Sequence, residues 1–251
     1  MRSYAIGDIH GHLDALRAAH ARIAADRARC GDDGRAPVIH IGDLVDRGPD
    51  SAGVVAWLMD GIAQGRPWLV LRGNHDRMMA GFLDDPGHHD PGLRRDAHWL
   101  LPALGGAETL ASYGVPDAGL RPAAEVHAEA VAKVPASHRA FLAGLALWHL
   151  RGEVLFVHAG IRPGIDLAAQ TEDDLVWIRS PFLEDTRDHG ALVVHGHTAL
   201  PRARHFGNRV DIDSGVAYGR ALTAVAIEGR EVFELAAEGR APLRPAVAAE
   251  G

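Results

Sequence analysis

Five short apolar runs in this chain end in residues that can ligate a divalent metal or move a proton. Ser3-Tyr4-Ala5-Ile6 leads into Gly7-Asp8 and His10. Pro37-Val38-Ile39-His40-Ile41 leads into Gly42-Asp43, and Trp68-Leu69-Val70-Leu71 into Arg72-Gly73-Asn74-His75-Asp76. Glu153 to Val157 is followed by His158, and Leu192-Val193-Val194 by His195-Gly196-His197-Thr198. Runs of this kind read as β-strands. In open α/β sheets, ligands bind beyond the carboxyl ends of the strands, so five strand ends predict one shared site. Carboxylate and imidazole together suit Mn, Fe or Zn, and there is no thiolate set for a structural zinc. Two such ions about 3.5–4 Å apart clamp the oxygens of an in-line displacement and acidify a water. A pair of cations needs a bridging anion, and Asp43 is the natural candidate.

These strand ends need a scaffold. Leu13, Leu16, Ala19 and Ile23 recur at helical spacing, predicting an amphipathic helix from about His12 to Cys30. The Gly31-Asp32-Asp33-Gly34 cluster stops it. A second helix is expected over Ser51 to Ile62. Strand, loop and helix thus alternate, which predicts an α/β fold with parallel, right-handed βαβ units. From Arg77 to His149 the chain is helix-rich, broken by Pro and Gly, and shows no strand pattern. It reads as a helical insertion, about 77–150, within a single domain spanning 1–240. Short strands follow at Arg209 to Ile212, Ala221 to Ile227 and Glu231 to Leu235, the last two joined by Glu228-Gly229-Arg230. Residues 241–251, rich in Ala, Pro and Glu, read as a frayed C-terminal tail.

Composition narrows the function. The 251 residues are 47% hydrophobic and 24% charged, as in a globular chain with a real core. A formal net charge of −7 and no long basic run argue against a nucleic-acid partner. Cys30 is the only cysteine, which rules out an internal disulfide and fits a reducing compartment. No run reaches the length of a membrane span, so no membrane partner is expected. No apolar leader pattern precedes the first motif, so a cytoplasmic location is the expectation. Of the 16 histidines, His88 and His89 read as solvated, His20 and His40 as structural or solvated, and His195 as support for the site. The tryptophans read as packing, with Trp177 the exception because it stands two residues from Arg179.

Taken in order, the motifs resemble a known family. Gly7-Asp8-Ile9-His10-Gly11, Gly42-Asp43-Leu44-Val45-Asp46-Arg47-Gly48 and Gly73-Asn74-His75-Asp76 are followed by Val157-His158-Ala159-Gly160 and Gly196-His197-Thr198. This set resembles the calcineurin-like metallophosphoesterases, and within them the phosphoprotein phosphatases of bacterial and phage serine/threonine type. The resemblance spans roughly Arg2 to Val225. It implies a four-layer sandwich of two mixed β-sheets flanked by helices, holding two divalent metal ions, Mn first and Fe or Zn as alternatives. It assigns Asp8 and His10 to the first metal, Asp43 to both, and Asn74, His158 and His197 to the second. It makes His75 the general acid, oriented by Asp46. Arg47, Arg72 and Arg179 would grip the phosphoryl oxygens, as a planar guanidinium fork can. The implied activity is hydrolysis of phosphate monoesters on a phosphorylated protein or a small ester; the alternative is symmetrical dinucleoside tetraphosphate hydrolysis. A catalytically silent scaffold would show motif loss, and no motif is lost. Two departures stand out. Ala199 replaces the second His of the Gly-His-x-His pattern found outside the phosphatase branch, leaving the first metal fewer protein ligands. Asp76 stands where eukaryotic phosphatases carry Glu, which loosens the link to protein substrates.

Overall fold

Along each central strand, alternate side chains face different layers, and that alternation sets the architecture. The structure is a computed structural model described over residues 1–245. Strands β1 (Arg2–Ile6), β2 (Val38–His40) and β3 (Trp68–Val70) pair in parallel. Between them run α1 (Leu13–Cys30) and α2 (Ser51–Ala63). The insertion holds α3 (Asn74–Asp84), α4 (Gly106–Ser112), α5 (Ala123–Lys133) and α6 (Ala136–Ala143). A second sheet then forms from β4 (Trp148–Arg151), β5 (Val154–Val157), β6 (Leu192–His195), β7 (Arg204–His205) and β8 (Arg209–Asp211), with α7 (Glu172–Trp177) between β5 and β6. The chain returns to the first sheet through β9 (Ala224–Glu228), β10 (Glu231–Ala236) and β11 (Gly239–Leu243). The sheet orders are β11-β10-β9-β1-β2-β3 and β4-β5-β6-β8-β7, and both are mixed.

The layers follow from which residues share a core. Ala5, Ile39 and Ile41 meet Phe156, Val194, Val210 and Ile212 between the sheets. Tyr4, Ile6 and Val38 point outward onto α1, α2 and the insertion through Leu16, Ile23, Val54 and Leu58. Leu155, Val157 and Val193 pack outward on Leu175, Ile178 and Phe182 around α7. Helices, sheet, sheet and helix thus form the four layers expected. Helix ends follow their capping chemistry. Asp50 accepts from the Gly53 N–H at 2.8 Å at the start of α2, and Gly31 takes the left-handed conformation (φ 62°) that closes α1.

Three strands escaped the sequence. β4 begins inside the stretch read as strand-free, and two of its four side chains, Trp148 and Leu150, are exposed, so it carries no buried pattern. β7 is two residues long. β11 pairs with β10 through Leu243 and contains Pro242, tolerable only because it is an edge strand. Order therefore extends past the 240 boundary. The remainder of the expected tail, 246–251, lies outside the described residues. The parallel βαβ arrangement expected of the opening third holds for β1, β2 and β3, and parallel pairing recurs at β5–β6 and β6–β8, while β9, β10 and β11 join the first sheet antiparallel.

Candidate metal centre

The five predicted strand ends meet. Asp8 and His10 follow β1, Asp43 follows β2, Asn74 and His75 open α3 after β3, His158 follows β5 and His197 follows β6. Asp8, His10, Asp43, Asn74, His75 and His158 are buried, and His197 is partly so. The backbone is bent to bring them there. Among the described residues, the non-glycines with positive φ are His10, Asp43, Asp46, Arg47, His197 and, away from the site, Asp117. Such conformations cost on the order of 1–3 kcal/mol each and persist where the surroundings impose them. Two glycines make room. A Cβ at Gly196 would lie 2.1 Å from Asp8 Oδ1, and one at Gly73 would lie 2.1 Å from Asp43 Oδ1.

The donor set fits divalent cations on its own chemistry. His158 Nδ1 lies 2.9 Å from the Ile41 carbonyl, which can only accept, so Nδ1 carries the proton. Burial lowers the pKa of His158, keeping the ring neutral. Its Nε2 lone pair then faces Asn74 Oδ1 at 2.9 Å and Asp43 Oδ1 at 3.4 Å. A lone pair aimed at two oxygens is repulsive unless a cation lies among them. His10 repeats the pattern: Nδ1–H donates to the Val45 carbonyl at 2.9 Å, leaving Nε2 3.5 Å from Asp43 Oδ2. Here Arg47 Nη1 donates to that Nε2 at 2.8 Å. His197 Nδ1 lies 2.8 Å from the same Asn74 Oδ1, and Asp8 Oδ2 accepts from the His197 backbone N–H at 3.1 Å. Asp8 Oδ1 is buried with no hydrogen-bond partner. Such an orphaned oxygen is expensive unless a cation meets it.

Charge tells the same story. Burial, with Asp213, Asp43 and Asp211 nearby, pushes the Asp8 carboxyl well up. Asp213 is pushed up to about 6 by burial, helped by Asp43 and opposed by the Gly215 N–H. Burial works upward on Asp43 too, but His158, His75, His10 and His197 hold it below the usual carboxylate range. Crowded carboxylates beside imidazole lone pairs invite cations. Two groups of ligand atoms lie within 4.8 Å of one another: His10, Asp43 and His75, and Asp43, His158 and His197. Asp43 belongs to both, as a bridging ligand must. The first group contains His75 rather than Asp8. Asp8 is the stronger candidate of the two, because its Oδ1 has no partner while His75 Nδ1 is already held by Asp46.

That fixing comes from Asp46, which is fully buried. Asp46 Oδ2 accepts from His75 Nδ1 at 2.6 Å and from Trp99 Nε1 at 2.8 Å, and Oδ1 accepts from Thr109 Oγ1 at 2.7 Å. Trp99 and Thr109 belong to the insertion, so the insertion locks the His–Asp pair. Asp76 holds the loops together: Oδ2 accepts from the Gly73 N–H at 2.8 Å and Oδ1 from the Leu44 N–H at 2.9 Å.

Above these groups opens a cavity of about 490 Å³ whose walls include Arg47, Arg179, Arg220, Asp213, Trp177 and Tyr218. Arg72 is not among them. Its guanidinium pairs with Glu172 at 2.8 Å and donates to the Leu142 and Ala143 carbonyls at the end of α6. Asp213 and Arg220 were not foreseen. Asp213 follows β8 just as Asp43 follows β2, so the strand-end rule would have found it; no local signal marks Arg220. His195 is buried behind the site, with Nε2 3.3 Å from Arg209 Nη1.

The chain matches the calcineurin-like phosphoesterase family over residues 1–222. It is 26% identical over 243 residues to the bis(5'-nucleosyl)-tetraphosphatase PrpE [asymmetrical] of Geobacillus thermodenitrificans, covering 88% of each chain. A solved structure provisionally named a diadenosine tetraphosphatase overlays with a TM-score of 0.60 at 19% identity, covering 97% of this chain and 94% of that one. The cold-active protein-tyrosine phosphatase of a psychrophilic Shewanella species overlays with a TM-score of 0.61 at 16% identity, covering 97% of this chain and 80% of that one. The family depends on dinuclear metal, and the clusters around Asp43 could hold such a pair. With the fold, the strand-end donor set and the matched span in agreement, the chain belongs to the calcineurin-like phosphoesterases and is a phosphoric ester hydrolase.

Proposed function

We propose that the chain hydrolyses small phosphate esters with two divalent cations, and that a nucleoside polyphosphate is preferred to a phosphoprotein. The observation that carries this reading is the set of lone pairs and carboxylates at five strand ends, lying beneath a cavity walled by three arginines. Asp8, His10 and Asp43 would hold one ion, and Asp43, Asn74, His158 and His197 the other, with Mn the first choice. Bound there, the ions supply Lewis-acid polarisation of the phosphoryl group and a water of lowered pKa. Arg47 and Arg179 hold the oxygens of the transferred phosphoryl group. Arg220 is one cation more than a single phosphoryl group requires, and it suits a second phosphate. His75, its Nδ1 held by Asp46, delivers a proton from Nε2 to the leaving oxygen.

The name of the 26%-identical relative supports a dinucleoside tetraphosphate cut asymmetrically rather than symmetrically. Asp76, in place of the Glu of eukaryotic phosphatases, also points away from proteins. A phosphoserine or phosphothreonine protein is the second reading, favoured by one feature: Tyr218, on the cavity wall, is 63% exposed, so a peptide can approach. Turnover of diadenosine tetraphosphate and of a phosphopeptide with manganese separates the two. The expected result is faster nucleotide hydrolysis yielding ATP and AMP. Faster phosphopeptide hydrolysis with no nucleotide turnover would reverse the order, and two ADP per substrate would restore the symmetrical type.

A further inference from the structure

One wall of the cavity is held by a buried carboxylate that phosphoryl chemistry does not use. Asp90 is 1% exposed and lies in the insertion after α3. It accepts from Trp177 Nε1 at 2.9 Å, from Arg77 Nε and Nη2 at 2.8 and 2.7 Å, and from the Gly92 N–H at 2.9 Å. A carboxylate meeting four donors, two of them from one guanidinium fork, is geometrically fixed. Arg77 also reaches Asp173 at 2.6 Å, in the helix α7 that ends at Trp177. The loop packs directly on the indole, since a Cβ at Gly92 would lie 2.3 Å from the ring. On the site side, the indole stands edge-on to His197, with ring centroids 5.5 Å apart and planes at 87°. Leu93 and Leu104 line the same cavity.

An immobilised indole beside two leucines is apolar surface for which a phosphoryl group has no use. We infer that this wall receives a flat aromatic group carried by the phosphate substrate, a nucleobase, with Trp177 as the specificity-determining residue and Asp90 as the residue that positions it. The inference rests on the phosphoesterase reading and adds to it the recognition of the base. Holding the ring in advance removes an ordering cost from binding. A base–aromatic contact is worth roughly 5- to 150-fold in affinity.

The test is calorimetric titration of the manganese-loaded full chain with inorganic phosphate and with a non-hydrolysable adenosine monophosphate analogue, in which a methylene group replaces the ester oxygen. In the wild type, the nucleotide should bind roughly tenfold tighter than phosphate. Trp177→Leu should abolish that advantage while leaving phosphate affinity nearly unchanged. Trp177→Phe keeps a ring but loses the bond to Asp90, so it should retain part of the advantage. Asp90→Asn, which disrupts the Arg77 pair, should weaken the nucleotide and spare phosphate. Equal weakening of both ligands by Trp177→Leu would mean the indole acts only through His197, and would overturn the inference. So would a wild type that binds phosphate but shows no preference for the nucleotide, a result that leaves the phosphoesterase reading standing. A wild type that binds neither ligand would sink both.

Discussion

Asp43 is shared by both groups of ligand atoms, and four imidazoles surround it. Replacing it by Asn keeps the shape and removes the negative charge proposed to bridge two cations. Asp43→Asn is therefore expected to lower manganese-dependent p-nitrophenyl phosphate hydrolysis by roughly a thousandfold, as a steady-state assay would show; full activity would refute its bridging role. Asp46 would act differently, through the His75 ring it holds. Asp46→Asn should cut kcat roughly a hundredfold or more while metal content, read by elemental analysis, stays at the wild-type level. That these residues would meet was legible because each stands at a strand end, where sequence position fixes spatial position. Arg72 also stands at a strand end, yet its long side chain turns to Glu172 and to carbonyls of α6, partners 70 to 100 residues away. Where a flexible side chain goes depends on distant segments, and local pattern does not encode that.

At the scale of elements, the loops after β1, β2 and β6 hold left-handed residues because Asp8, His10, Asp43 and His197 must turn inward within a few residues. The glycines beside them are part of the same device. Gly196→Ala would drive a methyl into Asp8 Oδ1. It should cost about 1–3 kcal/mol of stability and weaken metal binding, measured by thermal melts with and without manganese. An unchanged melt in both conditions would show that the loop yields freely. The central strands were readable from their apolar runs and their polar ends. β4, β7 and β11 were not, because they sit at or beside sheet edges and are exposed, very short or proline-bearing. The helical character of the insertion was readable, but its contribution of Trp99 and Thr109 to the His–Asp pair was not, because it depends on tertiary packing.

Across the whole molecule, two sheets face each other and a polar tie closes the outer side of the first. Asp26 on α1 accepts from Arg240 Nε and Nη2 at 2.6 and 2.8 Å and from the Tyr4 hydroxyl at 2.9 Å, joining α1, β1 and β11. Burial would raise the Asp26 carboxyl, but Arg240 and Tyr4 outweigh it and hold it below the usual range. A depressed folded pKa contributes stability above the unfolded value of about 3.9, and that stability is lost as pH falls through the folded value. Asp26→Asn should therefore lower stability at pH 7, with the gap to wild type closing as the pH drops below about 4. A gap independent of pH in denaturant titrations would contradict this account of the tie. Among the described residues no helix is long and apolar enough to cross a membrane.

The two-cation geometry itself is tested most directly by anomalous diffraction from crystals grown with manganese. The prediction is a pair of peaks about 3.5–4 Å apart, one against Asp8, His10 and Asp43, the other against Asp43, Asn74, His158 and His197. A map with no peak at Asp43, or with these side chains turned away from the metal found, would contradict it.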